Sequence, residues 1–282
     1  MNWDRLVSRI AEGKCTPFLG AGVAAGTLPL GGDIAERWAD EYGYPFDDKR
    51  NLPRVAQFVA VREDPMTPKE LICRELKQSA APNSTDVDEP HGQLAELPLA
   101  IFVTTNYDGT LFDALRARGK HPRREICRWN SSPVLADVPR VLEPDFVPTA
   151  DNPVVFHLHG HYDVPESIVL TEDDYLDFLV AVSRDDGLLP HQIQKALAGA
   201  SLLFVGYALA DWNFRVLHRG LVMAREQSLR RFSVNVQLQP DDEASRDYLE
   251  QYFGAMNVQV HWGTAHDFAR ELRERLREST HV

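Results

Sequence analysis

The chain has 282 residues, 44% of them apolar and 26% charged, with a net charge of −12. That balance is ordinary for a folded protein with one large core, and the negative charge excludes extended, sequence-independent contact with nucleic acid. No run approaches the roughly 18 apolar residues of a membrane span, and the N-terminus lacks the apolar core of a signal peptide.

Residues 1–14 have the spacing of an amphipathic helix, and "CTPFLGAGVAAG" reads as a short apolar strand running into glycines. Helical patterns follow at "GGDIAERWADEYG" and at residues 52–62 and 68–78, and "SAAPNSTDVDEPHG" reads as a polar loop. "LPLAIFVTTNYDGTLFDALRARG" reads as strand, turn and helix, with Asp108 as the helix N-cap and Leu111, Phe112 and Leu115 as its apolar face. Residues 127–151 read as a loop-rich connection. "PVVFHLHG" is a strand, and "SIVLTEDDYLDFLVAV" a short strand followed by a helix whose Thr171 and Asp174 resemble a capping box. "SLLFVGYALADWNFRVLHRGLVMARE" gives strand, turn and long helix, with Asp211 as a cap. A strand, a helix, a strand and a helix complete the chain. Buried strands alternating with helices predict an α/β fold with a doubly wound, mainly parallel sheet in one domain, residues 1–282, and a helical insertion at about residues 33–97. Cys15, Cys73 and Cys127 form no CxxC pair, which fits a reducing cytoplasm without disulfides or a cysteine-based zinc site.

Ligands of such sheets bind at the carboxyl ends of the strands. Four ends here are polar or glycine-rich: "FLGAG", "VTTNYD", "FHLHG" and "LLFVGYA". Gly20-Ala21-Gly22-Val23-Ala24-Ala25 matches G-x-G-x-x-[G/A], in which glycines let backbone N–H groups approach a pyrophosphate. A tight turn explains it equally well. The acid that a dehydrogenase needs about 20 residues on would be Asp40 or Glu41, and both fall inside a helical pattern. With Asp108 as a cap, Asn106 has no evident structural task. In "VFHLHGHYDV", His157, His159 and His161 occupy every second position, so a strand would direct them to one face. They could bind a metal with Asp163, or one could be a catalytic base. Gly160 interrupts the strand, and His159, just before the turn, is best placed to enter the cleft with a near-neutral pKa.

These four segments, in this order, resemble the Sir2 family, and more closely the Sir2-like effector domains of bacterial antiphage defence systems than sirtuin deacylases. "GAGVA" resembles the sirtuin "GAGIS", "TTNYD" resembles "TQNID" with Thr105 in place of Gln, "LHG" matches the catalytic-histidine motif, and "GYALADWNFR" resembles a late segment of the defence branch. The resemblance spans roughly residues 16–237. It implies a Rossmann-like domain that takes NAD+ as substrate and cleaves its nicotinamide–ribose bond, with no metal. It also implies His159 as base and Asn106 as the group positioning ribose or water. Asp108 would bind the nicotinamide carboxamide; Gly20, Ala21 and Gly22 would line the pyrophosphate and Gly206 the adenosine side, with Val23, Thr105 and Tyr207 also binding the cofactor. The zinc module of deacylases, with its two CxxC pairs, is missing, and Ala24 stands where sirtuins carry Ser. An NAD+ glycohydrolase acting in abortive infection is therefore expected. A zinc-free deacylase, an NAD- or ADP-ribose-binding module without turnover and a three-histidine metallohydrolase are the alternatives. The resemblance leaves no room for a sensor domain, which implies a homo-oligomer or a separate sensor of Argonaute-like, ATPase or nucleotide-binding type.

Overall fold

The computed structural model describes residues 1–80, 82–83, 86, 88–143, 145–184, 187–207 and 232–280. The helix expected after Tyr207, with Asp211 as its cap, lies outside the described residues. The described strands are β1 Cys15–Leu19, β2 Ile101–Thr104, β3 Arg123–Ile126, β4 Val154–His157, β5 Ser201–Val205, β6 Ser233–Gln237 and β7 Val258–Trp262. They form one sheet in the order β3-β4-β2-β1-β5-β6-β7. Every pairing is parallel, so the sheet is parallel throughout rather than mainly so. The cause is visible in the strands: all residues of β1, β4, β5 and β6 are buried, as expected where helices cover both faces.

The two faces build separate cores. Cys15, Leu19, Phe102, Val155, Leu203, Val205, Val234 and Val236 point one way. They pack on α1 Trp3–Ala11, α5 Pro90–Glu96, α6 Thr110–Ala117 and α11 Ala265–Thr280. Phe18, Val103, Val154, Phe156, Leu202, Phe204 and Val258 point the other way, onto α8 Glu172–Arg184, α9 His191–Gly199 and α10 Glu243–Gly254. Each buried Val, Leu or Phe contributes about 1.5–3 kcal/mol, so the alternation fixes the register of every strand.

Three helices between β1 and β2, α2 Gly31–Tyr42, α3 Leu52–Arg62 and α4 Thr67–Gln78, form a third cluster together with Ile168 and Leu170. Helix α5 instead joins the first sheet face. This small helical layer grips the start of α8. Lys69 of α4 pairs with Asp174 at 2.7 Å and lies over the Trp129 ring. Gln57 of α3 and Asp173 exchange two hydrogen bonds, of 2.8 and 3.0 Å. The expected capping box is present: Asp174 donates its N–H to Thr171 Oγ1, and its carboxylate accepts from the N–H of Thr171.

Several elements differ from the sequence-based expectation. Strand β3 and helices α5, α7 Pro133–Asp137 and α9 were not anticipated. Strand β3 reads "RREI" and lacks an apolar run because it is an edge; its buried Glu125 carboxylate accepts from the N–H groups of Val141 and Leu142. Residues 168–170 form no strand. Strand β4 stops at His157, and Leu158 and His159 already form a turn. The cap of α6 is Gly109, with Asp108 one position earlier accepting from Thr110 N–H at 2.9 Å.

Candidate active site

Register brings four strand ends side by side: Leu19 is paired with Thr104 and Val205, and Thr104 with His157. The chain leaves β1 toward β2 and β4 and returns on the other side at β5, so a crevice opens at β1.

On the β1–β5 side the site is made of backbone. Gly20 donates to Val205 O and Gly22 to Gly206 O, both at 2.9 Å, and Val23 donates to Gly20 O. The loops touch so closely that a Cβ on Gly206 would lie 2.3 Å from Val23 N, and one on Gly20 would lie 2.7 Å from Gly206 O. Gly206 also has φ +82°, a conformation that favours glycine. These glycines are therefore required by loop-on-loop contact, independently of any ligand. With those N–H groups engaged, the exposed Ala21, first in the 3-10 turn Ala21–Ala24, presents the loop's next donor. Tyr207 OH donates to Leu19 O at 3.0 Å, and Thr105 Oγ1 lies 3.0 Å from Tyr207 OH. Thr105 Oγ1 also lies 3.4 Å from Leu19 O, so each hydroxyl can give its one proton to the carbonyl or to the other hydroxyl.

Asn106 is held at three points. Its N–H donates to Thr104 Oγ1 (3.0 Å), its Nδ2 donates to Gly20 O (3.2 Å), and its carbonyl accepts from His157 Nδ1 (3.1 Å). Because Gly20 O can only accept, the amide orientation is fixed and Oδ1 is left as an acceptor.

The three histidines do not converge. His157 and His161 meet, with perpendicular rings 4.7 Å apart, whereas His159 lies between Tyr175 and Phe178 of α8, both edge-on at 5.3 and 5.1 Å. All three are buried. Asp163 is directed to Arg124 (3.0 Å) and Lys77 (3.5 Å). Among the described residues no group of three or more His, Cys, Asp or Glu could hold a metal ion. The near-neutral pKa expected of His159 does not hold either: burial pushes it down to about 3. Burial, with the charges of His161 and Arg124, does the same to His157, and burial with Arg124 and Lys77 does so to His161.

A cavity of about 1790 Å³ joins these parts. Asn106 and His159 line it, with Ala21, Gly22, Thr105, Asp108, Gly206 and Tyr207. Gly20 and Val23 are not on its wall; Val23 is fully buried in the core. The far wall comes from the helical layer and α8, through Asp47, Asp48, Glu172, Asp173 and Tyr175. None of these five was anticipated. The Thr171–Asp174 capping box marked where α8 starts, and Tyr175 and Phe178 are three apart on one face, but nothing local says that this face covers His159.

A doubly wound parallel sheet with a glycine-rich first loop at its switch point has the architecture of dinucleotide-binding α/β domains. Residues 100–260, more than half of the sequence, match the SIR2-like domain, and the chain belongs to that family. It is similar to "NAD(+) hydrolase ThsA" of Acinetobacter baumannii (strain 532279), 24% identical over 269 residues, covering 89% of this chain and 49% of that protein. It is also similar to "NAD(+) hydrolase ThsA" of Bacillus cereus (strain MSX-D12), 25% identical with 79% and 43% covered, and to "Defense-associated sirtuin 2" of Bacillus subtilis, 25% identical with 73% and 19% covered. The chain thus spans about half the length of the first relative and less of the others. A solved structure described as "Structural Basis for the Mechanism and Regulation of Sir2 Enzymes" covers all of both chains at 12% identity and a TM-score of 0.42, too loose a likeness to bear on function.

Proposed function

We propose that the chain hydrolyses NAD+ at the nicotinamide–ribose bond, releasing nicotinamide and ADP-ribose, as the effector of an antiviral, abortive-infection system in the cytoplasm. The observation that carries this reading is the meeting of Asn106 and His159 on one cavity beside the glycine loop. Nicotinamide leaves as a neutral ring, so no general acid is needed, and the ribose passes through an oxocarbenium-like state. Asn106 Oδ1 orients water or a ribose hydroxyl, a role of geometry rather than charge. His159, held neutral, accepts the proton, and such a base contributes about 10²–10⁴-fold. Asp108 faces the nicotinamide carboxamide, Ala21 and Gly22 the pyrophosphate, and Gly206 and Tyr207 the adenosine. The names of the ThsA relatives agree with this chemistry.

A base lowered to about 3 is weak. The enclosure of His159 by Tyr175 and Phe178 therefore supports low activity of the isolated chain. Self-assembly, or docking of a separate sensor protein, would displace α8 and return His159 toward solvent.

The test is incubation with NAD+ and chromatographic resolution of the products, alone and with candidate partners. Nicotinamide and ADP-ribose should appear, and His159→Ala should abolish them in a folded protein. Full activity in that variant would sink the assignment. O-acetyl-ADP-ribose formed with an acetylated peptide would mark a deacylase, and tight binding without turnover a binding module.

A further inference from the structure

His157 and His161 lie beneath the cavity, not on its wall, and the reaction proposed above leaves them unused. Their neighbours nevertheless determine where each ring carries its proton. His157 Nδ1 faces the carbonyl of Asn106 at 3.1 Å. A carbonyl only accepts, so this nitrogen must carry hydrogen, and Nε2 is then a bare lone pair. His161 is the reverse. The N–H of Asp163 donates to its Nδ1 at 3.2 Å, so that nitrogen is the lone pair and Nε2 carries the hydrogen. Both Nε2 atoms are buried without a hydrogen-bond partner among the described residues. The two rings are perpendicular neighbours, 4.7 Å between centroids. One ring thus offers an unused donor and the adjacent ring an unused acceptor, and a buried unpaired group of either kind costs about 1–3 kcal/mol.

We propose that His157 is a positioning residue for Asn106: its Nδ1–H holds the Asn106 backbone carbonyl, and the perpendicular His161 ring packed against it keeps the imidazole in place. The proposal rests on the reading of Asn106 as the group that orients the attacking partner. Among the described residues, nothing else that bonds to Asn106 anchors its carbonyl. Thr104 takes its N–H and Gly20 its side-chain amide, so release of the third point lets the peptide plane turn and carries Oδ1 with it. The tautomer of His161 also argues against metal on its ring. A metal at His161 Nε2 would need a lone pair on both ring nitrogens while Nδ1 still accepts from Asp163.

Nitrogen-15 NMR of the full chain reads the tautomers directly. His157 should be protonated at Nδ1 and His161 at Nε2, neither doubly protonated at pH 7; a His157 ring carrying its proton at Nε2 instead overturns the positioning role. Two substitutions then separate positioning from packing. His157→Asn keeps a donor where Nδ1 stood, and His157→Gln keeps only one where Nε2 stood. The Asn106 side-chain amide resonance should stay in place in His157→Asn and move in His157→Gln. With NAD+, kcat should fall roughly 10- to 100-fold in His157→Gln with KM little changed, and His157→Asn should recover most of it. Equal loss in both variants, tracking a loss of Tm, assigns His157 to packing and overturns the proposal. If wild-type protein leaves NAD+ intact while tautomers and amide shift behave as stated, the functional reading fails and the positioning of Asn106 by His157 stands.

Discussion

The two sides of the cleft are built on different principles. On the β1–β5 side backbone meets backbone: Gly20, Gly22 and Gly206 interlock, and the phenol of Tyr207 ties the loop to the end of β1. On the β4 side the main chain leaves the strand after His157, and aromatic side chains from a distant helix decide what His159 meets. The first side is a fixed frame that few sequences can satisfy. The second can be retuned by changing one ring. A rigid backbone frame and a histidine set by side-chain packing thus sit in separate parts of one cavity.

The contrast can be broken at its stiffest point. Gly206→Ala places a Cβ 2.3 Å from Val23 N at φ +82°, and should cost about 4 kcal/mol or more in urea unfolding. Gly160→Ala, at φ +90° with Ser167 O 2.3 Å away, tests whether the β4 side holds one equally rigid joint; a loss below about 1 kcal/mol there would mean that it relaxes.

Acid should strike the β4 side next. All three histidines are lowered from 6.5 to about 3 in the folded chain, so between those values the unfolded chain binds more protons. Their contribution is complete above pH 6.5 and is lost as pH falls toward 3, at up to about 1.4 kcal/mol per histidine per pH unit. Calorimetry from pH 7.5 to 5 should show Tm falling steadily below 6.5, and a flat profile would contradict the burial of these rings.

A smaller change sharpens the comparison. Tyr175→Ala removes one of the two rings on His159, and the imidazole should titrate closer to 6.5 by NMR while the Gly20–Gly206 contact is unaffected; stability should drop by about 1–3 kcal/mol. Smallest is Tyr207→Phe, which removes the hydroxyl bonded to Leu19 O and Thr105 Oγ1 and should cost about 1 kcal/mol without altering the His159 titration. A shift of His159 in that variant would show that the two sides communicate.

Legibility in the sequence followed the same division. Strands β1, β2, β4 and β5 were readable because burial on both faces demands continuous apolar runs, and their glycine, asparagine and histidine ends announced a site. Strand β3 was not readable, since an edge strand carries Arg123, Arg124 and Glu125 rather than an apolar run. The glycines were found, but a close approach between Gly20 and Gly206 joins residues far apart in the chain and has no local signature. For the histidines, alternate spacing suggested a common face; the strand ended at His157, so His157 and His161 were brought together and His159 was sent elsewhere. The pKa of His159 was misjudged for the same reason: Tyr175 and Phe178 reach it through tertiary packing alone.

The grip of the small helical layer on α8 has a mechanical consequence. Lys69 and Gln57 hold the first turn of α8 through Asp174 and Asp173, and Tyr175 follows immediately. The cover over His159 therefore cannot lift without dragging α3 and α4 along or breaking a half-hidden ion pair. The helical layer and the ring over His159 are thus tied into one piece, joined at the first turn of α8.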